Sequence, residues 1–422
     1  MLPDFLSLIP LGLYLLAATA LPLIDPIELS DIPSADASDT PLFPLPFTRK
    51  VNNPSNASVA RFDQLRAQTL RTRDLGGQNE QGIFDISASS QVVSYVVKVE
   101  IGDPPTTYEL LIDTGSSNTW VGAGKQFVPS RTTVPTLNPV SVEYGSGSFQ
   151  GVEVKDRVTL APGLTIDNQS IGVAIFSQGF DDVDGILGIG PIDLTCGTLF
   201  PCIDECIPTV TDNAWLQGLL AFYGVGISFA PAVSAPEENR ELTFGGIDST
   251  KYTGTINYVP ITSHEPANKF VGVDQSVAYG DTVILEETSG IIDTGTTLIL
   301  LATDAFNEYK SLTGAEMDNN VEMLKITREQ YSQLKSMYFN INGIKYEFTR
   351  DAQIWPRSLN SEIGGDADVI YLVVSDNGSP SGSGIDFING MTWLQRFYMV
   401  YDIGNSRVGI ATTRHTNDTV NF

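Results

Sequence analysis

Basic residues are scarce in this chain: 24 Lys and Arg stand against 50 Asp and Glu, a formal net charge of -26, and there are only two histidines. A nucleic-acid partner is excluded on electrostatic grounds, because phosphate binding needs a basic stripe. Few bases also cap the positive charge the protein can acquire in acid, when its carboxylates protonate. The histidines, His264 and His415, have no partner spacing, read as surface residues, and leave a Ser-His-Asp hydrolase without a base. Cysteine is equally sparse. Cys196, Cys202 and Cys206 are all in CGTLFPCIDEC. A metal site there would need a fourth ligand that no histidine supplies by motif spacing, so one local disulfide and a leftover thiol are expected, with the pairing open.

Long apolar runs are missing too, apart from the N-terminal MLPDFLSLIPLGLYLLAATA, which is broken by Pro10 and Gly12 and ends in Ala18-Thr19-Ala20. It is short for a membrane span and reads as a signal peptide over 1–20. The polar C-terminus, RHTNDTVNF, carries no lipid-anchor signal. The expectation is a secreted, extracellular protein with no membrane association. Sequons at Asn56, Asn168, Asn377 and Asn417 agree with secretion.

With 422 residues, the chain is long enough for two lobes. Runs such as VVSYVVKVEI and LTFGGI are short, alternating and bounded by Gly, Pro or Asn, so the chain reads as all-β with a few short helices. A Pro/Asp/Ser-rich stretch follows the signal, and SVARFDQLRAQTLRTR then reads as an amphipathic helix, Ser58 its N-cap and Phe62 and Leu65 on one face. Residues 40 to 74 hold six basic and two acidic groups, a basic segment ahead of an acidic body. The division is a propeptide over 21–82 and lobes over 83–256 and 257–422.

Each lobe carries one polar elbow in an apolar strand. LLIDTGSSNTW places Asp113, Thr114, Gly115 and Ser116 after a strand, and IIDTGTTLIL places Asp293, Thr294, Gly295 and Thr296 in the same setting. A buried aspartate needs justification, and the duplication supplies it. Related lobes about a pseudo-two-fold axis bring the two elbows together. Two carboxylates at close range cannot both ionise cheaply, so one proton is shared. The ionised partner can then take a proton from water while the protonated one polarises a carbonyl, which is general acid-base hydrolysis without a covalent intermediate. Gly115 and Gly295 let backbone amides approach the carboxylates, Ser116 and Thr296 can donate to them, and Thr114 and Thr294 can bond across the interface. No metal or cofactor is called for.

Other signals sit around the elbows. VSVEYGSGSFQGVEV alternates on both sides of Gly145-Ser146-Gly147 and reads as a hairpin with an exposed tip. DGILG at 184–188 and the run around Asn389-Gly390 hold corresponding places in the two halves. Thr303 is expected to cap a helix over DAFNEYKSL, and Thr327 with Gln330 to form a capping box.

Together DTGSSNTW, YGSGS, DGILG and DTGTT, in that order, resemble the pepsin family of aspartic endopeptidases, over nearly everything from about residue 85 to 413. Stretches such as DDVDGILGIGP, IPTVTDN, AQIWPR and DFINGMTWLQRFY are most similar to a fungal branch of it. The resemblance implies a bilobal fold of two pseudo-symmetric β-barrel-like lobes with a cleft between them. It implies Asp113 and Asp293 as the catalytic pair, and Tyr144 as a flap residue closing with Gly145 and Ser146 over substrate. Trp120 would hydrogen-bond Tyr144, and Leu111 and Ile291 would line subsites. The implied partners are polypeptide substrates in extended conformation, cut between hydrophobic residues, and the chain's own propeptide; a monomer is expected.

PLPFTRK resembles the start of the family's inhibitory prosegment, and a basic side chain such as Lys50 or Arg73 is expected near the dyad. Two positions depart from the pattern: Asn389 stands where most of the family has an apolar residue, and Met391 where Asp is common. Two rival readings exist. IIDTGTT also resembles the phosphate loop of actin-like and sugar-kinase-like ATPases, and a catalytically silent relative would bind peptides without cutting them.

Overall fold

The computed structural model describes residues 41–51, 58–72, 93–145, 147–233 and 240–422. The expected signal peptide, Arg73, Asn56 and Ser146 lie outside the described residues. None of the described helices is long and apolar enough to cross a membrane.

The two lobes repeat one arrangement. In the first, the strand Thr106–Asp113 runs parallel to Gly185–Gly188, with Asp113 opposite Gly188. Gly185–Gly188 is antiparallel to Thr119–Val121, which in turn lies parallel to Leu164–Gln178. In the second, Thr282–Ile292 runs parallel to Phe387–Asn389, which is antiparallel to Ile299–Leu301, itself parallel to Val374–Asp376. DGILG and the run before Asn389-Gly390 therefore occupy equivalent strands. Parallel pairing buries a strand on both faces, which is why the elbow strands are apolar rather than alternating. Every residue from Ile291 to Leu301 is buried.

A 13-stranded sheet connects the lobes, and its middle is built from distant parts of the chain. The strand Phe43–Val51 is inserted between Glu241–Phe244 and Val93–Ile101, with Phe47 opposite Val97. Phe47 is packed against Tyr95 and Phe229 with ring centroids 5.6 and 4.8 Å away, so the segment ahead of the body contributes to its core. The expected boundary at 256/257 falls within the strand Thr253–Pro260, which pairs with the late strand Arg407–Thr412.

The helix Val59–Thr72 forms as its sequence suggests. Ser58 Oγ accepts the Arg61 N–H at 3.1 Å, a capping bond that satisfies one of the orphan donors of the first turn. Its buried face is Val59, Ala60, Phe62, Asp63, Arg66, Ala67 and Leu70, and Leu65 is only half-buried. The Thr327 capping box is present with both reciprocal bonds. Thr303 is not a cap. It is the first helical residue after Ala302, and its hydroxyl donates to Asp376 instead at 2.7 Å.

Cys196 and Cys206 form the disulfide, leaving Cys202 free. Asn168 and Asn417 are exposed, but the Asn377 side chain is fully buried. Its amide donates to Ile385 O at 3.0 Å and its Oδ1 accepts from Ser379, so this sequon is closed to a glycan in the fold. His264 is exposed, whereas His415 is partly buried and bonds Asp418 at 2.6 Å.

Candidate active site

The two elbows face each other with near-exact two-fold correspondence. Gly115 N–H donates to Asp113 Oδ1 at 2.9 Å, and Gly295 N–H to Asp293 Oδ1 at 3.0 Å. Ser116 Oγ donates to Asp113 Oδ2 at 2.5 Å, and Thr296 Oγ1 to Asp293 Oδ2 at 2.6 Å. Behind them Thr114 and Thr294 cross over, each backbone N–H donating to the other's hydroxyl at 3.0 Å. Each hydroxyl then donates to the strand of the opposite lobe, at Ile292 O and Ile112 O, both 3.2 Å. Only glycine fits beside the carboxylates: a Cβ at Gly115 would stand 2.8 Å from Asp293 Oδ1, and one at Gly295 2.7 Å from Asp113 Oδ1.

Both carboxylates are fully buried, and a guanidinium is held between them. Arg66 Nη2 donates to Asp113 Oδ1 at 2.5 Å and to Asp293 Oδ1 at 2.9 Å, while Nε donates to Asp293 Oδ2 at 2.7 Å. Arg66 is the basic residue at the pair. Lys50 is not there but bonds Glu109 at 3.1 Å, because the strand Phe43–Val51 lies in the sheet away from the elbows. The fork geometry of arginine suits two acceptors at once, which a lysine point charge matches less well.

The electrostatics split the pair. Burial pushes the Asp113 carboxyl up, and the Asp293 charge beside it adds to this against the pull of Arg66, so its pKa is raised. Burial pushes Asp293 up as well, but the Arg66 charge and hydrogen bond, with those of Thr296 and Gly295, outweigh it and hold the carboxyl below its ordinary value. Burial pulls Arg66 down, yet the two carboxylates outweigh that and keep it charged.

Around this centre, Trp120 Nε1 donates to Tyr144 Oη at 3.0 Å and Trp120 stacks on Phe149 at 4.4 Å between centroids. Leu111, Trp120 and Tyr144 share one apolar cluster. Gly145, at the hairpin tip, lies directly against the backbone of Leu65 and Arg66. Ile291 is completely buried in the main core rather than in that cluster.

Two residues escaped the sequence reading, Arg66 and Asp63. Each sits four residues after a buried apolar residue of the helix, Arg66 after Phe62 and Asp63 after Val59, and that spacing is the available signal. Asn389 also has an account: it exchanges hydrogen bonds with Gln275, donating at 2.9 Å and accepting at 3.3 Å, so the buried amide is paired. Met391 is buried and starts a short helix, its N–H donating to Thr296 O at 2.8 Å.

Comparison with known proteins agrees with this geometry. Residues 94–413 match the family model described as eukaryotic aspartyl protease. The chain is 55% identical to polyporopepsin of Irpex lacteus over 337 residues, covering 80% of this chain and 99% of that protein. It is 30% identical to mouse cathepsin E, covering 76% of this chain and 80% of that one. A crystal structure of the aspartic proteinase from Irpex lacteus superposes with a TM-score of 0.76 at 56% identity, covering 78% of this chain and 96% of that one. The chain belongs to the pepsin-like family of aspartic proteases, and it is an aspartic endopeptidase acting on polypeptides. The nucleotide-binding reading is thereby set aside.

Proposed function

We propose that this is a secreted acid endopeptidase made as a self-activating zymogen, in which Asp113 and Asp293 activate a water molecule and residues 21–82 hold the cleft shut. The observation that carries this reading is Arg66, whose one guanidinium bonds both carboxylates and so leaves no room for water between them. The helix bearing it is ahead of the stretch from 94 that resembles the family, and polyporopepsin, matched over 99% of its length, spans only 80% of this chain.

Once the helix departs, the buried pair loses its cation and must retain a proton, because two bare carboxylates in low dielectric repel strongly. Thr114, Gly115, Ser116, Thr294, Gly295 and Thr296 fix the carboxylates by the bonds described, so the charge moves while the geometry does not. One carboxylate then takes a proton from water as it attacks the peptide carbonyl, and the other donates to that carbonyl oxygen. Tyr144, Gly145 and Ser146 close over an extended substrate, Trp120 positions Tyr144, and Leu111 and Ile291 contribute apolar subsite walls that favour hydrophobic residues. The lobes are 83–256 and 257–422, residues 1–20 are a signal peptide, and the enzyme works as a monomer without metal.

The test is to express residues 21–422, lower the pH from 7 to 4, and follow peptide cleavage and the N-terminal sequence together. The expected result is little activity at pH 7, then a new N-terminus near residues 80 to 85 as activity appears. Asp113→Asn and Asp293→Asn should each stay uncut and lose at least about 100-fold in rate while remaining folded. A chain that is fully active at pH 7 without shortening, or an Asp113→Asn chain that shortens unaided, overturns the reading.

A further inference from the structure

The helix Val59–Thr72 makes a second contact beside the dyad, with chemistry opposite to the first. Asp63 lies one helical turn before Arg66 and is fully buried. Its carboxylate accepts the Thr297 N–H on both oxygens at 3.1 Å and the Leu298 N–H on Oδ2 at 2.7 Å. These amides are the next two along the chain after Thr296, whose hydroxyl bonds Asp293. One helix face thus gives a cation to the carboxylates and a hydrogen-bond acceptor to the backbone donors next to them.

The amides explain why such a contact is needed. Thr297 and Leu298 are buried, and a buried N–H without an acceptor destabilises the fold. The adjoining carbonyls are already engaged, Thr297 O accepting the Thr392 N–H at 3.0 Å. Two neighbouring amides free to donate into a cleft that takes an extended chain are where a peptide's acceptor groups would bond. The Asp63 carboxylate fills that place.

We infer that Asp63 is a second autoinhibitory lock, which blocks peptide engagement on the Thr297 and Leu298 amides independently of the Arg66 clasp on the dyad. This rests on the zymogen reading above and deepens it. The lock acts through acceptor atoms rather than charge, since its partners are backbone N–H groups. An amide oxygen can take the same bonds, so Asp63→Asn should keep the lock and Asp63→Ala should open it.

The experiment measures cleavage of a short peptide by the intact chain at pH 6.5, before any shortening, for wild type, Asp63→Ala, Asp63→Asn and Arg66→Ala. Asp63→Ala is expected to leak at least about tenfold above wild type and Asp63→Asn to stay within about threefold of it. Hydrogen exchange at Thr297 and Leu298 gives a readout separate from activity: protection should fall in Asp63→Ala and persist in Asp63→Asn. If Arg66→Ala leaks while Asp63→Ala does not, or if Asp63→Ala leaves the two amides protected, the second lock is wrong though the zymogen stands. If Asp63→Asn leaks as much as Asp63→Ala, the contact works through charge and the acceptor argument fails. If neither Arg66→Ala nor acid shortening releases activity, the zymogen reading has failed and takes this one with it.

Discussion

Thr114 and Thr294 each donate a backbone N–H to the other's hydroxyl at 3.0 Å, and each hydroxyl donates onward to a carbonyl of the opposite lobe. This closed ring of four bonds ties the two elbows at the level of the chain just beyond each aspartate. It makes the separation of the carboxylates a property of the lobe interface.

Thr294→Val keeps the shape and removes the hydroxyl, leaving the buried Thr114 N–H without its acceptor. The expected cost is about 1–3 kcal/mol in urea unfolding, with a fall in kcat larger than any change in KM. Thr294→Ser should recover most of both. If valine proves neutral in kcat, the ring does not set the catalytic geometry.

A second consequence concerns the polar pair behind Asp293. Asn389 is on the strand whose counterpart in the first lobe carries the buried Leu187 at the matching position, since Ile112 lies opposite Leu187 and Ile292 opposite Asn389. Asn389→Leu alone strands the Gln275 amide and should destabilise by about 1–3 kcal/mol. Adding Gln275→Leu should return part of that loss, giving a coupling of at least about 0.5 kcal/mol in a double-mutant cycle. Activity should survive, because Asp293 N–H bonds the Asn389 backbone oxygen and not its side chain. Additive single losses would mean the amides do not act as a pair.

How much of this could be read from the sequence follows from the range of the interactions. The elbows, the hairpin around Gly145 and the Thr327 capping box are local patterns, and their side-chain and backbone chemistry forces a local answer. The Arg66 clasp joins residues 47 and 227 apart along the chain, and a charge on an amphipathic helix ordinarily faces water, so its spacing from Phe62 does not by itself reveal its partners. Asn377 carries a valid sequon, but the motif is blind to burial. Thr303 has the residue type of a cap, and its hydroxyl found Asp376 from another strand instead. The cysteine cluster left the choice between pairs open until the fold brought Cys196 to Cys206.

The last prediction concerns the sign of the pH dependence of helix docking. Burial raises the Asp63 carboxyl to about 7 from an ordinary 3.8, and the Thr297, Leu298 and Arg66 interactions only partly oppose it, with Asp293 adding to the rise. A group raised on folding stabilises the folded form fully below its unfolded value and loses that contribution as pH climbs through the folded value. Asp63 therefore strengthens docking as pH falls from about 7 towards 3.8. For Asp113 the undocked reference is the buried pair without its cation, already raised, and the Arg66 charge lowers it, so its contribution to docking is present at higher pH and fades as pH falls. Asp293 agrees with Asp113: Arg66 holds it low, so its contribution is present above its ordinary value and is lost as pH falls through the lowered one. Mild acid should thus not loosen the helix through Asp63, and release comes from protonation of the pair around Arg66. In an Asp113→Asn background, which blocks self-cleavage, Asp63→Asn should raise the melting temperature at pH 7.5 and change it little at pH 4. Asn carries no charge at either pH and copies the protonated acid. A loss of stability at pH 7.5 would show that the ionised carboxylate is the favoured form and that its pKa is depressed instead.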